Sequence, residues 1–215
     1  QPVSIAVRTA ANVTDNAATA SLNSAATCPG TLGGKIAGVG GFYNYREDKN
    51  IILLDLDTRG VFDCLRRTNW FNTGKLLSDT TEGGIVFHVS VSGPNSNAAT
   101  NRYGVRLRNA NKLQAYSGAT IRGFTVVSDQ AVYTMGDYNS SGKIPSAIMA
   151  DSINVLSNNW SDANCPAKSS CPYNARNATN TTINTAFLGG TDSTGGTEGS
   201  GGQNGYYNGG LENYP

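Results

Sequence analysis

Between Gly84 and Gly93 the chain alternates cleanly. Ile85, Phe87, Val89 and Val91 fall on one face of an extended segment, and Val86, His88, Ser90 and Ser92 fall on the other. A period of two predicts a strand with one buried face. Tyr103, Val105 and Leu107 alternate with Gly104, Arg106 and Arg108 in the same way, which sets Arg106 and Arg108 on an outward face. The run 50–55 is apolar and β-rich. Within 58–67 the apolar residues Val61, Phe62 and Leu65 recur in steps of one, three and four, which predicts one short amphipathic helix. Beyond residue 112 the apolar runs become short and evenly spaced, at 121–127, 131–135, 148–150, 153–156 and 183–188. Gly, Asn, Asp and Ser punctuate them, as strand-bounding turns require.

Two of these runs carry similar words, thirty residues apart: Ser152-Ile153-Asn154 and Thr182-Ile183-Asn184. Stacked as neighbouring rungs they would set Ile over Ile and Asn over Asn, with amides bonded along a ladder. The pattern therefore predicts a mainly β fold: a short β-solenoid, or solenoid-like stacked sheets, with one short helix. A β-sandwich is the alternative, since it also yields short strands at this spacing. Three regions follow. Residues 1–33 form an Ala/Asn/Thr-rich arm poor in large apolar side chains. Residues 34–188 form the β domain. Residues 189–215 form a Gly-rich loop or linker, with ten glycines between 189 and 210.

Composition narrows the classes. The chain has 215 residues, of which 14% are charged, and its net charge is +1. A typical soluble domain carries about 25% charged residues. Gly reaches 26 and Asn 24. There is no basic surplus for nucleic acid, no apolar run long enough to span a membrane, and only one His, which excludes multi-histidine metal sites. The chain begins at Gln1 and stops at Pro215 without a signal peptide, so a longer precursor is expected.

Four cysteines allow three pairings. Cys165 and Cys171 flank a short polar segment, so a local bridge between them is preferred, leaving Cys28 to pair with Cys64. Disulfides imply an oxidising compartment and an extracellular or cell-surface location. Five sequons are glycosylation candidates, at Asn12, Asn139, Asn159, Asn177 and Asn180. In a chain this rich in Asn, Ser and Thr, unmodified polar loops are the simpler reading.

Candidate chemistry is sparse. His88 faces Ser90 and Ser92, but strand neighbours two apart are about 7 Å from each other, too far for a base contact, and no nucleophile elbow exists. Acids cluster at Asp55, Asp57 and Asp63, and again at Asp79 and Glu82; a solenoid groove holding such a pair would suit polysaccharide cleavage. The stretch from Asp137 to Gly142 matches the first half of a calcium loop, with Asp137, Asn139 and Ser141 as ligands. Ile148 stands where an EF-hand needs Glu, so calcium is a candidate cofactor only through an isolated loop. Tyr43, Tyr45, Tyr103, Tyr206 and Tyr207 lie in polar, Gly-rich contexts that suit sugar stacking or protein interfaces.

Several segments in order resemble a domain in the C-terminal regions of PilX-like, type IV pilus-related bacterial surface proteins. They include Gly41-Phe42-Tyr43-Asn44-Tyr45-Arg46-Glu47, Tyr103-Gly104-Val105-Arg106-Leu107-Arg108-Asn109, Gly136-Asp137-Tyr138-Asn139 and Leu156-Ser157-Asn158-Asn159-Trp160. The resemblance runs from about residue 40 to the end. It implies an exported structural or adhesive subunit of a surface appendage, without catalytic residues, within a longer chain that starts in a prepilin-like hydrophobic helix. The leading expectation is thus a pilus-related subunit, not an enzyme, that works through self-assembly as a homo-oligomer or filament. A carbohydrate-binding surface module, calcium-dependent or not, is the alternative, with surface glycans as partners. A polysaccharide-active enzyme is the second alternative.

Overall fold

The computed structural model describes residues 13–24, 28, 32–35, 41–45, 49–68, 76–80, 83–91 and 102–189. Two helices appear there, α1 (Asn16–Asn23) and α2 (Thr58–Thr68). The strands are β1 (Leu32–Lys35), β2 (Phe42–Asn44), β3 (Lys49–Asp57), β4 (Ile85–Val89), β5 (Tyr103–Arg108), β6 (Phe124–Ser128), β7 (Ala131–Met135), β8 (Ser146–Ala150), β9 (Ile153–Leu156) and β10 (Ala186–Gly189). The protein is mainly β, in two sheets.

From β3 onward, successive strands alternate between the sheets. The first sheet runs β1-β3-β5-β7-β9 and the second β10-β8-β6-β4. Along β3-β5-β7-β9 and β4-β6-β8-β10 every pairing is parallel. An antiparallel sandwich of hairpins would not give this order. β1 and β2 pair antiparallel with the two halves of β3 and cover that edge of the first sheet.

The alternation read from the sequence explains the interior. Leu54, Leu56, Val105, Leu107, Val132 and Ile153 of the first sheet meet Ile85, Val89, Phe124, Val126, Ile148 and Ala150 of the second in one buried cluster. Burying one such side chain contributes about 1.5–3 kcal/mol. The predicted helix forms as α2. Asp57 caps it by accepting from the Gly60 N–H at 3.1 Å. Its apolar stripe sends Val61, Phe62 and Leu65 into the same interior, where Phe62 meets Phe124 edge-on at 4.9 Å.

The repeat word does not stack as expected. Ile153 pairs with Val132, whereas Ile183 bridges Tyr138. The rung that forms joins Asn184 to Asn139: the Asn139 Nδ2 donates to the Asn184 carbonyl at 2.8 Å, and the Asn184 Nδ2 donates to the Asn139 carbonyl at 3.2 Å. A step from one strand to its parallel neighbour also varies in length. Leu53 pairs with Gly104, 51 residues on; Val105 with Val132, 27 on; Val132 with Ile153, 21 on.

Arg106 departs from its expected outward position. It lies on the opposite face of the first sheet from the main interior, but that face is covered. β2 and the segment after β9 fold over it and bury a second cluster of Phe42, Ile51, Leu53, Ala131, Tyr133 and Leu156.

Candidate functional site

This covered face holds the most concentrated chemistry among the described residues. It depends on a missing side chain. A Cβ at Gly104 would lie 2.8 Å from the Tyr133 Cε2 and 3.3 Å from the Ile51 Cγ2. Without it the Tyr133 ring lies across β5 and meets Phe42 edge-on at 5.3 Å. Phe42 in turn meets Trp160 edge-on at 5.1 Å. Edge-to-face pairs at this spacing contribute about 0.5–1.5 kcal/mol each beyond burial.

A charged trio fixes the Trp160 end. The Arg106 Nε and Nη2 donate to the two Asp55 oxygens at 2.5 and 2.7 Å, and its Nη1 donates to the Asp162 Oδ1 at 2.6 Å. The same Asp162 oxygen accepts from the Trp160 indole N–H at 3.0 Å. Burial works against the charged guanidinium. The hydrogen bonds and charges of Asp55 and Asp162 overcome that cost and hold its pKa above the ordinary range. A planar fork bound on two sides orients the indole through Asp162.

The opposite wall comes from β2 and a small disulfide loop. Cys165 is bridged to Cys171, and Cys28 to Cys64. The Tyr43 N–H donates to the Cys165 carbonyl at 2.8 Å, and the Tyr45 hydroxyl donates to the Lys168 carbonyl at 3.0 Å. Tyr43 and Tyr45 meet edge-on at 5.0 Å. The Arg176 guanidinium lies 4.6 Å from the centre of the Tyr45 ring.

Between these walls lies an open groove of about 190 Å³. Its accessible lining includes Asn44, Tyr45, Asn154, Trp160 and Arg176. Pockets for drug-sized ligands start near 300 Å³, so this one suits a single ring. Two polar atoms in the lining, the Asn154 Nδ2 and the Arg176 Nε, are shielded from solvent and have no hydrogen-bond partner in the protein. Such orphaned donors are rare, because each forfeits about 1–3 kcal/mol of hydration.

The sequence-predicted residues are scattered. Asn139 is 1% exposed. Its amide donates to the Ile144 and Asn184 carbonyls at 2.8 Å and accepts from the Ile144 N–H at 3.1 Å. Both ends of this amide tie turns together. The Asp137 Oδ1 accepts from the Asn158 Nδ2 and the Thr182 N–H, each at 2.8 Å. The Thr182 bond, then the Asn158 bond, holds its pKa below the ordinary carboxylate range. Ser141 is exposed, with its N–H on the Asn111 carbonyl.

Asn159, Asn177 and Asn180 are exposed, and the Asn159 Nδ2 donates to the Asn177 carbonyl at 2.8 Å. Asn12, Glu82, Tyr206 and Tyr207 lie outside the described residues. His88 is exposed on β4 in a row with Val127, Met149 and Leu188. Asp55 is locked to Arg106 and Asp57 caps α2, which separates the tasks of that candidate acid pair.

Sequence reasoning named Tyr43 and Tyr45 but missed Asn154, Trp160 and Arg176 as their neighbours. The usable signal was the cysteine pair: a short bridged loop after β9 had to pack on something, and Trp160 lies just before it. No family model, curated protein or solved structure matches the chain. The pilus-related resemblance therefore rests on its quoted segments. Two disulfides mark a protein of an oxidising, extracytoplasmic environment. Among the described residues no helix is long and apolar enough to cross a membrane.

Proposed function

We propose that this chain is a short, capped β-solenoid that serves outside the cell as an adhesive module and holds carbohydrate in its aromatic groove. The strand alternation supports the solenoid reading: β3/β4, β5/β6, β7/β8 and β9/β10 make four coils, capped at one end by β1, β2 and α2. The groove carries the functional reading. A sugar ring offers an apolar C–H face and a rim of hydroxyls. Tyr45 and Trp160 match the face, while the Asn154 amide and the Arg176 guanidinium in the lining match the rim. No part of this recognition needs calcium.

A glycan array probed with the purified chain, followed by titration calorimetry on the best binder, tests the proposal. Tyr45→Ala is expected to weaken binding at least tenfold, about 1.4 kcal/mol, while circular dichroism stays unchanged. An array on which the wild-type chain binds no glycan overturns it.

Self-assembly as a structural subunit of a pilus-related appendage is a second reading. It is favoured by the second sheet, where β4 and β10 each pair on one side only among the described residues. Val86, Met149 and Leu188 are 53%, 36% and 61% exposed on its outer face. Unpaired strand edges and apolar faces are templates for further strands or copies.

A further inference from the structure

We propose that the groove selects a sugar ring bearing a carboxylate, such as a uronic or sialic acid, with Arg176 as the residue that recognises the charge. This inference rests on the carbohydrate reading above and narrows its ligand.

The Arg176 guanidinium carbon lies 4.6 Å from the centre of the Tyr45 ring and 5.7 Å from that of Tyr173. Arg176 is half-buried in the groove lining, and among the described residues its guanidinium donates no hydrogen bond. An arginine edge matches a carboxylate with two parallel hydrogen bonds. No ion pair to Arg176 is found among the described residues, and its Nε finds no hydrogen-bond acceptor in the protein. The carboxylate nearest the groove in the network, Asp162, is committed to Arg106 and Trp160. The Asn154 Nδ2 adds a neutral donor from β9. Among the described residues the groove thus offers an arginine, an amide and aromatic surface, with no acid in its lining. A neutral sugar would satisfy the aromatic surface and leave the arginine edge without its strongest partner.

The test is calorimetry of the whole chain against three probes: oligogalacturonate, sialyllactose, and a neutral oligogalactan. Either carboxylated probe is expected to bind at least tenfold more tightly than the neutral one, and more weakly as salt is raised. Arg176→Gln, a change at a half-buried surface position, is expected to abolish that preference by weakening the carboxylated probes at least tenfold more than the neutral one. Arg176→Lys is expected to retain part of it, because the charge remains but the paired donors do not. Which of the two carboxylated probes binds better identifies the sugar type. Equal affinity for carboxylated and neutral probes, or a preference that survives Arg176→Gln, overturns the charge selection while the groove reading stands. Absence of binding to all three probes and to the glycan array overturns both.

Discussion

Asn139 has a backbone φ of 50°, in the left-handed region that a branched or bulky residue avoids. Its amide holds the Ile144 and Asn184 backbones at the same turn. Asn suits the position twice, through its tolerance of positive φ and through its short paired donor and acceptor. Asn139→Ala would leave two half-buried carbonyls and one N–H without their side-chain partner in a strained conformation. It is expected to cost about 3–5 kcal/mol, read as a lowered urea midpoint with unchanged slope. Nearby, Asn158 bonds Asp137 and the Asn180 carbonyl. The Asn excess visible in the sequence thus has a physical use in ties between neighbouring turns. The choice of partners was not legible, because Asn154 and Asn184 both follow Ile in similar segments while only Asn184 meets another Asn across a turn. Arg106 was misplaced for a related reason: alternation gives the face of a strand but not whether another segment covers that face.

At the scale of elements, the legible part was β3 to β10 and α2 taken singly, whereas α1, β1 and β2 lie in stretches with no such pattern. β7 and β9 fall where the apolar runs place them, and α2 follows its stripe of Val61, Phe62 and Leu65. The pairing order stayed hidden because the steps between parallel partners range from 21 to 51 residues, and a repeat of unequal length leaves no period to read. The small loop closed by Cys165 and Cys171 spans six residues in sequence, and Cys28–Cys64 spans 36. Chain-entropy arithmetic gives about 2 kcal/mol for the first and about 4 kcal/mol for the second. Yet the smaller bridge holds the wall on which Tyr43 and Tyr45 rest. Replacing Cys165 and Cys171 together by Ser is expected to lower the melting temperature less than replacing Cys28 and Cys64, but to weaken glycan binding more. Calorimetric melting and titration of the two double variants check both halves.

For the whole molecule, the two faces of the stack differ. One sheet is covered by β2 and the groove walls; the other shows Val86, Met149 and Leu188 to solvent. Val86→Lys with Leu188→Lys is expected to abolish any concentration-dependent assembly seen by light scattering, while leaving monomer folding and groove binding intact. Assembly that persists in this variant would place the contacts elsewhere. The order of the parallel pairings has a mechanical side as well. Neither bridge ties one strand of a sheet to its parallel neighbour: Cys28–Cys64 fastens Cys28 to α2, and Cys165–Cys171 closes a local loop. A load on the chain beyond β10 therefore meets no covalent stop between parallel strands. It would first peel β10 from β8, then β9 from β7, with each release paying out a different length of chain. Unequal steps between parallel partners make the stack yield to a pull in increments of different length.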